Sequence, residues 1–167
     1  MYQVGDIVLY GSEGVCKISG IEEKKIMDRK VNCYILQPVN DKHSVFFIPT
    51  DSGAAQKKLR HIAGAKELDA IFHSAEPVVW IESDRARREA YRTAIGYADR
   101  AALASLIKAV CMQRAHLALT GKKLHKIDEY FLSEAEKLLY GELSTVFEIE
   151  KEEVVPYILG ECSLKAL

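Results

Sequence analysis

The chain has little of what most chemistries require. Its four cysteines, Cys16, Cys33, Cys111 and Cys162, are far apart and form no C-x-x-C pair. Structural zinc needs ligands at short paired spacing, and a disulfide framework needs an oxidising compartment, so buried thiols are the reading here. His43, His61, His73, His116 and His125 are scattered without ligand spacing. There is no P-loop, G-x-G-x-x-G, nucleophile elbow or H-E-x-x-H. Gly11-x-x-Gly14 precedes a strand-like burst rather than a helix, so turn chemistry explains it better than a phosphate loop. No enzyme activity, cofactor, metal or small-molecule substrate is expected. No apolar run approaches the roughly 18 residues of a membrane helix. Met1 to Asp6 has neither a basic start nor an apolar core, so a cytoplasmic protein with no membrane partner is expected. An excess of one charge is also missing. Lys plus Arg is 23 against 24 Asp plus Glu, a net of -1, which argues against strong binding to free nucleic acid.

What is present is ordinary globular material, 49% hydrophobic and 28% charged. A length of 167 residues allows one standard domain or two small ones, with a core that needs no staples. The pattern changes near residue 60. Before it, short apolar bursts alternate with turn signals: Ile7–Tyr10, Val15–Ile21, Val31–Leu36 and Val45–Ile48. Met27-Asp28-Arg29-Lys30 is a polar hairpin tip, and Pro38 to Lys42 a second turn. Strands so short and closely spaced predict a small antiparallel barrel or meander over about residues 1–55. In Val15–Ile21, strict alternation puts Val15, Lys17, Ser19 and Ile21 on one face and Cys16, Ile18 and Gly20 on the other.

From about Lys57 the period becomes helical. A short helix is expected over 65–72, interrupted before Pro77. Ser83 caps a helix ending near Gly96, and Asp99 caps the next, which carries Leu103, Leu106, Ile107, Val110 and Leu117. Ser133-x-x-Glu136 has the form of a capping box, so a helix is expected to open there. A last short helix over 151–159 contains Pro156.

Charge counted by segment is uneven. Residues 84–126 hold ten basic and three acidic side chains, a net of +7, whereas residues 141–167 net -4. Arg85, Arg88 and Arg92 fall at i, i+3 and i+7 on one helix face. Such a row suits a phosphate track and equally a solvated face salt-bridged to Glu82 or Glu89. Trp80, the only tryptophan, lies between the Pro77 break and this helix. It reads either as a core anchor or as an apolar wedge that props a base step beside a basic helix.

These residues carry a family resemblance. Val4-Gly5-Asp6-x-Val8-x-Tyr10, Gly14-Val15, Ile18-x-x-Ile21-Glu22, Tyr34-x-Leu36 and Phe47-Ile48-Pro49 resemble the RNA-polymerase-interacting domain of the CarD/CdnL family of bacterial transcription regulators, a module also present in the transcription-repair coupling factor. Trp80, the Arg-rich helix, Leu132-Ser133-x-x-Glu136-Lys137-x-Leu139 and Gly141-Glu142-Leu143 are similar to the family's helical domain.

The resemblance implies an α+β multidomain chain. A small Tudor-like antiparallel β barrel (1–55) would be followed by a connecting segment with a short helix (56–79), an all-α helical domain that contacts DNA (80–160) and a tail (161–167). It implies docking on the RNA polymerase β subunit through Lys24, Lys25, Ile26, Phe47 and Pro49. Phe47 stands where many members are basic, so an apolar contact is expected there, with Phe47 at least partly exposed. Gly11 stands where many relatives have Pro. In the helical domain the resemblance implies promoter-DNA contact by Trp80, Arg85, Arg87, Arg88, Arg92 and Lys137 at the upstream edge of the bubble, and nucleoid association through polymerase. Docking would give even a weak basic patch a high effective concentration, and preferential affinity for the open complex would shift the equilibrium toward it. A protein–protein adaptor that never touches DNA is the other expectation.

Overall fold

In a computed structural model, which describes residues 1–39, 41, 43–147 and 149–161, the chain divides into two compact units, Met1–Ile62 and Ala63–Leu167. Lys42, Cys162 and the rest of the expected tail beyond Glu161 lie outside the described residues.

The first unit is a five-stranded antiparallel sheet: β1 Ile7–Tyr10, β2 Gly14–Ile26, β3 Arg29–Pro38, β4 Phe46–Pro49 and β5 Leu59–His61, in the order β4-β3-β2-β1-β5. A four-residue helix, α1 Gly53–Gln56, lies between β4 and β5 in the chain. The expected barrel is therefore an open sheet of Tudor-like type, with β4 and β5 at its edges. The sequence boundary at residue 55 leaves out β5, whose Leu59, Arg60 and His61 pair with Tyr10, Leu9 and Val8. Three residues with two polar members offer no run that periodicity can reveal.

Val8, Cys16, Ile18, Tyr34, Leu36, Ile48 and Leu59 form the core of this unit, with Tyr2, Tyr10 and Phe46 against them. Each fully buried aliphatic side chain contributes about 1.5–3 kcal/mol. The β2–β3 hairpin turns through Met27 and Asp28, at φ 45° and 62°. A two-residue loop needs both central residues left-handed, and Asp accepts that conformation more readily than Met.

A register shift falls between Ile18 and Gly20: Ile18 faces Leu36, yet Gly20 faces Ile35. Ser19 is the extra residue, and its hydroxyl donates to the Ile35 carbonyl at 3.2 Å. The bulge moves Gly20 onto the face of Lys17, so the strict alternation expected over Val15–Ile21 fails from that point. A Cβ at position 20 would lie 3.3 Å from Ile35 Cδ1, so any larger residue there needs that methyl to shift by a few tenths of an ångström.

The second unit is helical: α2 Ala65–Ser74, α3 Asp84–Tyr97, α4 Arg100–Ala118, α5 Lys126–Val146, a 3-10 turn Lys151–Glu153 and α6 Val154–Ile158. Ser83 and Asp99 cap α3 and α4 as expected, accepting from the amides of Ala86 and Ala102. α3 runs past Gly96 and closes at Ala98, which is left-handed at φ 47°. The core includes Leu68, Phe72, Leu103, Ile107, Leu139, Leu143, Phe147 and Tyr157.

The expected helix start at Ser133 is corrected. α5 already begins at Lys126, and Phe131, Leu132, Ala135, Leu139 and Leu143 make one continuous buried stripe through the Ser133 position. Tertiary burial of that stripe outweighs a local capping signature. A reciprocal capping box does occur later, where Glu150 and Glu153 satisfy each other's amides at the last 3-10 turn. Pro156 falls in the first turn of α6, where its missing N–H costs little. Among the described residues no helix is long and apolar enough to cross a membrane, and no group of His, Cys, Asp and Glu is placed to hold a metal.

Candidate functional site

Each unit carries one candidate surface. On the first, the pairing register fixes which side chains share a face. After the bulge, Gly20, Glu22, Lys24 and Ile26 of β2 lie opposite Ile35, Cys33, Val31 and Arg29 of β3. Ile35 and Cys33 lie opposite Phe47 and Pro49 of β4. Lys24, Ile26, Phe47 and Pro49 therefore fall on one side of the β2–β3–β4 sheet, the side away from the core.

Phe47 is 47% exposed, as expected of a contact rather than a core residue. The Lys24 ammonium sits 4.6 Å from the centre of its ring and also meets Glu22 at 2.8 Å. An exposed aromatic is thus held by a cation across two strands, with Ile26 exposed further along the same hairpin. Lys25 belongs to the opposite face, opposite Lys30, and its ammonium pairs with Asp28 at 2.9 Å. The sheet does not bring it together with the other four.

In the helical unit the Arg-rich segment separates into two faces. Arg85, Arg88 and Arg92 are exposed on α3. Arg87 points the other way and is only 3% exposed. Its Nε and Nη2 donate to the two carboxylate oxygens of Asp128 at 2.7 and 3.0 Å, and Nη2 also donates to Asp84 at 2.7 Å. Nη1 donates to the carbonyls of Ile81 and Glu82 at 2.7 and 3.2 Å. The Tyr91 hydroxyl donates to Asp128 at 3.1 Å.

These bonds, led by the one to Asp128, hold Arg87 in its charged form, whereas burial first and Asp128 second push the Tyr91 phenol well above its ordinary range. Asp84, bonded to Arg87 and then to His125, is held below the usual carboxylate range. The family resemblance implies a DNA contact for Arg87. The structure instead gives its guanidinium a full set of internal acceptors. The signal for this was legible in Arg87, Tyr91 and Ala94, which share the inward stripe at i, i+4 and i+7. Asp128, 41 residues away, carried no local signal at all.

Trp80 is partly buried against the helical core, and the Arg87 guanidinium lies 4.5 Å from its ring centre. The ring is thus fixed by a cation that is itself fixed by five hydrogen bonds to protein. Trp80 borders two concavities. One, of about 180 Å³, is apolar and lined by Val78, Val79, Ala94, Ala102 and Leu106. The other, of about 230 Å³, is polar and lined by Glu82, Gln113, Lys122, Lys123 and His125. Lys137, on α5, is exposed and bonded to Glu134 at 2.6 Å. Other members of the basic stretch are structural. Arg100 makes a forked pair with the buried Glu142 at 2.7 and 2.6 Å, and Lys108 donates to the carbonyls of Phe72 and Ala75 at the end of α2.

The exposed face of the sheet carries an aromatic braced by a lysine, the kind of surface that protein contacts use. Residues 2–63, essentially the first unit, match the family model described as the CarD-like/TRCF RID domain, and that match supports an RNA-polymerase-interacting, transcription-related protein. No curated protein matches the chain.

Proposed function

We propose that the protein docks on the β subunit of RNA polymerase with its first unit and stabilises the open promoter complex with its helical unit. The docking face is Lys24, Ile26, Phe47 and Pro49, with β4 beside it as an edge strand that pairs with β3 alone among the described strands and can accept a partner strand. The helical unit meets the upstream edge of the bubble through Trp80, with Arg85, Arg88 and Arg92 on the phosphates and Lys137 as a further cation. Arg87 takes no direct part in the contact; it holds the Trp80 ring.

The observation that carries this reading is the match of residues 2–63 together with the single tryptophan braced on Arg87 of α3, the helix whose exposed face carries the arginine row. A braced ring loses little rotamer freedom on contact, which favours wedging. Trp80→Ala is expected to leave polymerase binding unchanged and to shorten open-complex lifetime. An unchanged lifetime at both a strong and a weak promoter refutes the wedge.

A second reading has its own observation. Val79 is 88% exposed and Val78 50%, both at the mouth of the apolar concavity beside Trp80. That surface suits a protein partner, as an adaptor requires. Replacing Arg85, Arg88 and Arg92 by Gln separates the two: only the adaptor tolerates it without loss of DNA association by the polymerase complex.

A further inference from the structure

The polar concavity beside Trp80 is shared between elements: Asp84 and Arg87 of α3 line one part of it, and its two lysines come from a different element than the arginine row. Lys122 and Lys123, in the α4–α5 connection, line it together with Trp80 and His125. Both lysines are exposed, and neither has an ion-pair partner among the described residues. The carboxylates of the same concavity differ in state. Asp84 is taken by Arg87 and His125, at 2.7 and 3.1 Å. The exposed Glu82 side chain has no partner among the described residues.

We infer that Lys122 and Lys123 form a second phosphate-binding site for DNA, immediately beside the tryptophan. The inference rests on the DNA reading proposed above and adds to it a site that the arginine row does not contain. Two flexible ammonium groups with no internal partner, at the rim of a hollow that the Trp80 ring also borders, suit a phosphodiester next to an unstacked base step. Glu82 opposes the same phosphate, so the site has a built-in repulsive member. Neutralising that residue and neutralising the lysines must act in opposite directions.

The test uses the full chain and RNA polymerase of the same organism. Binding is titrated over a potassium chloride series, to polymerase alone and to a preformed polymerase–promoter open complex. The difference between the two isolates the DNA contribution. The double variant Lys122→Gln, Lys123→Gln is expected to keep its affinity for polymerase alone. It should flatten the salt dependence of the DNA contribution by about two units of log affinity per log salt, one for each phosphate contact. Glu82→Gln should strengthen binding to the promoter complex at low salt. If the wild-type chain gains nothing from the promoter, the DNA reading itself fails. If the wild-type gain is salt-dependent and the double variant keeps the full slope, the lysine site is overturned and the arginine row stands.

Discussion

Removing the Asp128 carboxylate is the sharpest perturbation of the helical unit. Asp128 is 1% exposed and accepts from Arg87 Nε, Arg87 Nη2 and the Tyr91 hydroxyl. Asp128→Ala leaves a buried guanidinium with its Nε unmatched and a buried phenol without an acceptor. Breaking a buried ion pair from one side costs about 3–5 kcal/mol, and an orphaned hydroxyl accounts for about 1–3 of that. Asp84 and the carbonyls of Ile81 and Glu82 still hold the rest of the guanidinium, so the lower end, about 3 kcal/mol, is the expected loss. Asp128→Asn keeps one acceptor and should cost about half as much. The double variant Arg87→Leu, Asp128→Leu should recover much of the loss, because two apolar side chains leave no charge unmatched. Urea unfolding followed by Trp80 emission measures this directly, since the sole tryptophan lies in this unit. A loss under about 1 kcal/mol for Asp128→Ala refutes the view that the carboxylate neutralises Arg87.

Lys24→Glu would set a second acid beside Glu22 and remove the cation from Phe47, so affinity for the isolated β lobe should fall about tenfold or more; an unchanged pull-down contradicts the docking face. Met27→Asn, at a left-handed position that Asn occupies more readily, should stabilise the first unit by about 0.5–1 kcal/mol in thermal unfolding, and destabilisation would show the hairpin conformation to be held by other forces. Cys16 is fully buried and burial pushes its thiol up to about 11, so iodoacetamide at pH 8 should leave it unlabelled in the native state; peptide mapping that finds it modified refutes the buried assignment. Asp84 has a depressed folded-state pKa, so its contribution is fully present above the ordinary carboxylate range and is lost as pH falls through and below it. Asp84→Asn should therefore flatten the acid limb of the stability profile of the helical unit, and an unaltered limb would show the Arg87 and His125 bonds to be energetically silent.

Elements whose signal is local were legible in the sequence. The Ser83 and Asp99 caps and the Met27-Asp28 turn each follow from a few neighbouring residues, whereas the exposure of Phe47 is implied only by the family resemblance. What escaped depended on residues far apart. The bulge at Ser19 sets Gly20 opposite Ile35, whereas strict pairing would set it opposite Tyr34, and β5 becomes a strand only because β1 is there to pair with it. At Ser133 a capping signature of four residues cannot report the buried stripe that passes through it. On the candidate site, the outward arginines followed from helical spacing, whereas the inward turn of Arg87 is decided by a carboxylate on another helix.

That carboxylate has a counterpart. Asp128 and Glu142 stand fourteen residues apart on α5, almost four turns and roughly 21 Å along the axis, each buried and each forked by an arginine, Arg87 of α3 and Arg100 of α4. A helix held by greasy contacts alone can slide a turn and find similar partners. This one is keyed at both ends, because a shift of one turn would strand two acids and two guanidinium groups at once. The vertical setting of α5 is therefore discrete, and so is the position of the first-turn acid on which the tryptophan's support depends.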